Sequence, residues 1–238
     1  DLNNPYELSD ELLTPFSTYM SDVNQARVRE NDNYENFAEM IYNFTQIKEN
    51  YEAGSDEYQN AYMELLYTLW RNKAVSELYE PGSTFKIITT SMAFEENIIT
   101  PNTVFTCYDP YSVEGTKIHC HKRGGHGTHE YRYMLQQSCN PTLIQVAQLV
   151  GNEKFYQYFE AYGYTSTTGI DLPAEASPIF HNYSGFNAVE LATYSFGQTF
   201  KITPIQQITA VSTVANGGYL LTPHVVSRII DNEGNVVY

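Results

Sequence analysis

Apolar residues recur every three or four positions along most of this 238-residue chain, the period of a helix with one buried face. Phe37, Met40, Ile41, Phe44 and Ile47 form one such stripe, and Tyr62, Leu65, Leu66 and Leu69 form a second beyond the loop NYEAGSDEY. Two helices are predicted there, within an acidic, tyrosine-rich stretch that begins near Asp22. The turn-rich opening, DLNNPYELSDELLTPF, reads as a loop with a short helical turn. After Gly82 the stripe Phe85, Ile88, Met92 predicts a helix to about Asn97, stopped by the turn ITPN. Residues 104–130 have no clean period and read as loop with short strands. YRYMLQQS and PTLIQVAQLVG predict two helices separated by Ser138, Cys139 and Asn140, with Pro141 opening the second. NEKFYQYFEAYGY predicts another, ended by Gly163. AVELATYSFGQ and TPIQQITAVSTVANGG add two more, the latter closed by Gly217 and Gly218. Only YLLTPHVVSRIIDNEGNVVY alternates as paired strands do, around a turn at Asn232 to Asn235. The chain is expected to be mostly helical, as one large domain or two small ones.

Charge narrows the partners. With 28 acidic against 13 basic side chains, a net charge of -15, the chain lacks the basic stripe that phosphate neutralisation requires, which excludes DNA and RNA. No segment has the apolar run that spans a bilayer and no charged-then-apolar signal opens the chain, so these residues are expected to be soluble.

The chemistry starts at YEPGSTFKIITT, where Ser83 and Lys86 fall three apart at a helix start. Residues at that spacing share a face. A serine hydroxyl needs a base to become nucleophilic, and a lysine serves only if its pKa is pulled down. The positive end of a helix dipole disfavours a second cation, burial disfavours it further, and the same helix mouth offers N–H groups to a developing oxyanion. S-x-x-K alone is weak, since a surface serine and lysine produce the same string. Its company strengthens it: one S-x-N, Ser138-Cys139-Asn140, follows between two predicted helices.

RNKAVSELYEPGSTFK, GHG, QQSCNP, SFGQTFKITPIQ and ANGGYLLTPHVV occur in that order. Together they resemble the transpeptidase domain of class B penicillin-binding proteins of the division and sporulation type. The likeness runs from about Trp70 to Tyr238 and touches DLNNPYEL; residues 17–69 depart from it and are expected to be a helical insertion. The resemblance implies an α/β (α+β) fold of the penicillin-binding protein and serine β-lactamase kind, with residues 1–238 a partial transpeptidase domain holding mostly its helical part and lacking much of its antiparallel sheet. It implies a D,D-transpeptidase that cross-links peptidoglycan stem peptides and is trapped by β-lactams. Ser83 would attack the penultimate D-alanine carbonyl, Lys86 would accept its proton, Ser138 would relay a proton to the leaving amine, and Asn140 would bind the substrate amide or Lys86. The alternative is a β-lactam-sensing or scaffold domain that binds without turnover. Implied partners are a glycosyltransferase and division or sporulation proteins. The implied location is the outer face of the cytoplasmic membrane, through an N-terminal helix not in these residues. No K-T-G or K-S-G triplet occurs. The family places that motif on the strand bordering the cleft, so the chain alone is expected to be inactive.

FTCYDPYSVEGTKIHCHKRGGHGTH offers Cys107, Cys120 and His126 as ligands for a structural zinc, with Asp109, His119, His121 or His129 as the fourth. A Cys107–Cys120 disulfide, two buried free thiols and a histidine-rich surface loop are the competing readings. Some class B relatives share the Cys and GHG framework, and that resemblance points toward metal. Cys139, between Ser138 and Asn140, reads as a small buried side chain without chemistry.

Overall fold

The computed structural model describes residues 42–237 and divides the chain into two compact units that meet at Arg71 and Asn72. The predicted opening loop and the positions Phe37, Met40 and Ile41 lie outside the described residues, as does the side chain of Leu69. In the first unit, helices α1 (42–50) and α2 (Asp56–Trp70) flank a short turn. Ser55 caps α2 by accepting from the Tyr58 N–H at 3.1 Å. Phe44, Ile47 and Leu65 bury one another, and Phe44 packs on Tyr62 with ring centroids 5.7 Å apart.

The second unit is built on helices α3 (Lys73–Ser76), α4 (Lys86–Glu95), α5 (Tyr131–Gln136), α6 (Asn140–Val150), α7 (Asn152–Ala161), α8 (Ala188–Tyr194) and α9 (Pro204–Ala215). The stripe Phe85, Ile88, Met92 is wholly buried, which makes α4 the central helix, packed on α6, α7 and α9. Phe85 anchors its first turn in an aromatic cluster, with Phe200 and Tyr164 ring centroids at 5.0 and 5.2 Å. Helix α6 opens with Pro141 in its first turn, and Thr203 with Gln206 closes a capping box on α9.

Residues 104–130 fold as two small antiparallel pairs. Strand β1 (Val104–Cys107) pairs with β4 (Gly127–Glu130), setting Cys107 opposite Gly127, and β2 (Tyr111–Val113) pairs with β3 (Thr116–Ile118) as a hairpin. This is a mostly helical α/β domain with little sheet. Two expectations change. The helix after Gly82 begins as a 3-10 turn, Gly82–Phe85, before becoming α-helical at Lys86, and ends at Glu95. The alternating segment near the C-terminus forms a turn over Asp231 to Asn235 and one isolated bridge, Ile230 to Val236, in place of paired strands. Its alternation does not sort into buried and exposed faces: Leu221, Val225, Ile229 and Val237 are all at least half exposed. A lone hairpin with no packed face is marginal.

Candidate active site and metal centre

Lys86 has only 2 % of its surface exposed, yet its amine is fully partnered. Its Nζ lies 2.7 Å from the Ser138 carbonyl oxygen, 2.8 Å from Ser138 Oγ and 2.7 Å from Asn140 Oδ1. Ser83, exposed on the preceding 3-10 turn, hydrogen-bonds Ser138 Oγ at 2.9 Å. All four polar residues of S-x-x-K and S-x-N therefore meet at one point. Burial pulls the Lys86 pKa down to about 8, while the thiol groups of Cys139 and Cys120 oppose that fall. Burial is the first cause.

Ser138 reaches Lys86 through an unusual backbone. It sits at φ 51°, in the left-handed region, at the corner between α5 and α6. That conformation costs a non-glycine residue about 1–2 kcal/mol. It is held because both the carbonyl and the hydroxyl of Ser138 face the amine.

The next residue faces elsewhere. Cys139 is extended and wholly buried, and with Cys107, Cys120 and His126 it forms a cluster whose ligand atoms all lie within 4.8 Å of one another. Cys107 comes from the end of β1, Cys120 and His126 from the loop joining β3 to β4. Gly125 makes the GHG loop possible: a Cβ there would lie 2.3 Å from the Cys107 carbonyl oxygen, and its φ is 77°. The fourth member is thus Cys139, the residue to which the sequence assigned no chemistry. Of the alternatives, Asp109 instead accepts from the Cys120 and Gly124 N–H groups at 3.0 and 3.1 Å and pairs with His119. All three cysteines are free, so no Cys107–Cys120 disulfide forms.

A structural zinc fits this donor set. Three sulfurs and an imidazole are the ligands zinc prefers, and tetrahedral bonds of about 2.0–2.3 Å require donors roughly 3.5–4 Å apart. Backbone N–H groups of His126 and Lys122 favour the thiolate forms of Cys107 and Cys120, as outer-shell donors do around bound thiolates. Without a cation, burial pushes the Cys107 thiol up to about 12 and raises Cys120 as well. Burial lowers the His126 pKa, keeping the ring neutral and able to ligate, and its Nε2 is buried with no hydrogen-bond partner.

A helical α/β domain with serine, lysine and asparagine converging at the mouth of its central helix defines the serine–lysine class of acyl-enzyme folds. The chain belongs to the penicillin-binding protein family: residues 39–237 match its transpeptidase domain. It is 42 % identical over 162 residues to stage V sporulation protein D of Bacillus subtilis, covering 68 % of this chain and 25 % of that protein. It is 26 % identical over 148 residues to peptidoglycan D,D-transpeptidase FtsI of Escherichia coli, covering 62 % and 25 %. A peptidoglycan synthetase from Bifidobacterium adolescentis superposes with a TM-score of 0.66 at 26 % identity, covering 78 % of this chain and 32 % of that one. The chain thus spans about a quarter of the length of the curated relatives it matches.

Proposed function

We propose that this chain supplies the nucleophile and the proton-handling residues of a peptidoglycan D,D-transpeptidase, with Ser83 forming the acyl-enzyme. The observation that carries this reading is the hydrogen-bond count at Lys86. As an ammonium, Lys86 donates to all three oxygens; loss of one proton, which a pKa of about 8 puts within reach, leaves two N–H groups and one lone pair. The Ser138 carbonyl and Asn140 Oδ1 can only accept, so they take both protons. The lone pair must then accept from the Ser138 hydroxyl, which leaves Ser138 Oγ to accept from Ser83. With the amine neutral, the arrangement that satisfies every group is a directed path, Ser83 to Ser138 to Lys86.

Along that path, Ser83 Oγ forms a bond to the penultimate D-alanine carbonyl as its proton moves to Ser138 and the Ser138 proton moves to Lys86. Collapse of the tetrahedral adduct breaks the C–N bond, and the same hydroxyl returns a proton to the departing D-alanine nitrogen. An amine of a second stem peptide then attacks the acyl-enzyme carbonyl and gives a proton to Lys86 through Ser138; collapse breaks the ester bond, and that proton returns along the same path to Ser83 Oγ. The Ser83 N–H, at the mouth of the 3-10 turn, is placed to receive the oxyanion, since the first N–H groups of a helix have no intrahelical acceptor. The Gly82 N–H is already committed to Gly197 O at 2.8 Å. A β-lactam enters by the same acylation. A structural zinc on Cys107, Cys120, His126 and Cys139 would supply cross-linking of the loop and no chemistry to the acyl transfer; those residues hold the corner that carries Ser138 and Asn140.

No described helix is long and apolar enough to cross a membrane. In this proposal the domain works at the outer face of the cytoplasmic membrane, held by an N-terminal helix, beside a glycosyltransferase and division or sporulation proteins. Mass mapping of the covalent penicillin adduct on the full-length protein tests the core of this reading. The adduct is expected on Ser83 and is lost in Ser83→Ala; an adduct on any other side chain, or none, refutes it.

A further inference from the structure

The segment Phe196 to Thr199 belongs to neither the S-x-x-K nor the S-x-N string, yet it is locked against the turn that carries Ser83. The Gly82 N–H donates to Gly197 O at 2.8 Å, and Tyr79 and Ile202 exchange backbone hydrogen bonds of 2.9 and 3.0 Å. The Thr199 N–H donates to Glu80 Oε1 at 3.0 Å. The approach is closer than a side chain permits: a Cβ at Gly197 would lie 2.2 Å from Gly82 O and 2.7 Å from Gly82 N. Gly82, Gly197 and Thr199 all occupy the left-handed region, at φ 54°, 83° and 68°. For a β-branched threonine that conformation is an outlier, of the kind the surroundings must enforce. Its hydroxyl is tied to Thr193 Oγ1 at 2.6 Å and to the Gln198 carbonyl at 2.7 Å.

We infer that Gly197 is a positioning residue for the Ser83 nucleophile, and that Glu80, through Thr199, clamps the same contact. The inference rests on the reading of Ser83 as the acylated residue. The peptide that a Gly197 side chain would strike is the one joining Gly82 to Ser83. Clearing a methyl group there moves that peptide by about 1 Å, and with it the hydroxyl that now sits 2.9 Å from Ser138 Oγ. Lys86 and its three partners lie across the relay from this contact and stay in place.

Time-resolved acylation of the full-length protein by a fluorescent penicillin, resolved into a non-covalent binding constant and a first-order acylation constant, tests the inference. Gly197→Ala is expected to lower the acylation constant about 100-fold, the cost of a 1 Å misplacement, with binding little changed. The rise of the rate with pH is retained, since the amine environment is untouched. A folding defect would instead shrink the labelled fraction without slowing what labels. Glu80 is exposed, so Glu80→Ala folds; it is expected to slow acylation several-fold, with Glu80→Gln, which keeps the accepting oxygen, restoring the wild-type rate. Acylation of Gly197→Ala at the wild-type rate overturns the inference. If that variant does not fold, the Glu80 pair decides, and equal rates for Ala, Gln and wild type overturn it. An adduct of the wild-type protein mapped away from Ser83 removes the underlying reading as well, whatever the Gly197 result.

Discussion

Removing one hydroxyl, in Ser138→Ala, separates the relay from a direct transfer between Ser83 and Lys86. The substitution deletes both the 2.9 Å bond to Ser83 and the 2.8 Å bond to Nζ, while the amine keeps the Ser138 carbonyl and Asn140 Oδ1 at 2.7 Å each. Lys86 stays buried and in place, but nothing connects it to the nucleophile. In the wild-type protein, a pKa of about 8 leaves roughly one-tenth of the lysine neutral at pH 7 and about nine-tenths at pH 9. Acylation should therefore climb nearly tenfold over that interval and then level. Loss of a positioned base costs about 10²–10⁴ in rate, roughly 2.7–5.4 kcal/mol of barrier. Ser138→Ala should fall by that factor at pH 9 and lose the climb, because what reaction remains no longer waits for a neutral amine. Stopped-flow acylation of the full-length protein by a fluorescent penicillin from pH 6 to 10 reads both. Ser138→Gly is the control, since glycine relieves the left-handed backbone at φ 51° and still lacks the hydroxyl; it must be equally slow. A Ser138→Ala protein that keeps the wild-type rate and its climb shows that Lys86 takes the proton directly and refutes the relay.

Asn140→Asp places a carboxylate 2.7 Å from Nζ, where an opposite charge raises a lysine pKa. The ammonium then persists to higher pH, so acylation at pH 7 should drop and the midpoint of the climb should move above 8; an unmoved midpoint contradicts the contact. Purified full-length protein should carry one zinc per chain, and Cys139→Ser should weaken zinc binding by at least the roughly 10- to 100-fold that loss of an outer-shell partner costs, and slow acylation as well. Metal analysis and thiol titration check this: no stoichiometric zinc in the wild type and three freely titrating thiols sink the metal reading.

What could be read from the sequence was what lies close together in it. The stripe Phe85, Ile88, Met92 predicted the central helix because a helix face is a local pattern, and Ser83 with Lys86 shared a face for the same reason. Ser138 and Asn140 were visible only as a second string, and the 52 to 54 residues between them and Lys86 are closed by the packing of α6 on α4. Cys139 was missed because its neighbours carried the recognisable pattern. Yet in an extended residue successive side chains face opposite ways, so a cysteine between two inward groups must point to the other side. Three cysteines also leave one without a disulfide partner, and with a histidine between glycines they make a complete zinc set. The strand pattern of residues 219–238 misled in the other direction: alternation records a capacity for pairing, and pairing needs a second surface.

The tripeptide Ser138-Cys139-Asn140 serves two sites at once, and this explains how a strained corner can be held so accurately. On one side Ser138 and Asn140 supply three hydrogen-bond partners to a single buried amine; on the other Cys139 enters a cluster whose other members belong to β1 and to the loop before β4. Neither side fixes the corner alone. The amine could pull Ser138 and Asn140 inward with the helix start of α6 following, and the sulfur cluster could hold Cys139 while its neighbours turned. Pulled from both faces, the backbone has one solution, with Ser138 left-handed and its hydroxyl between Ser83 and Lys86. Loss of the cluster should therefore be felt first at the relay, where a fraction of an ångström decides whether a proton can move, and only later in the fold.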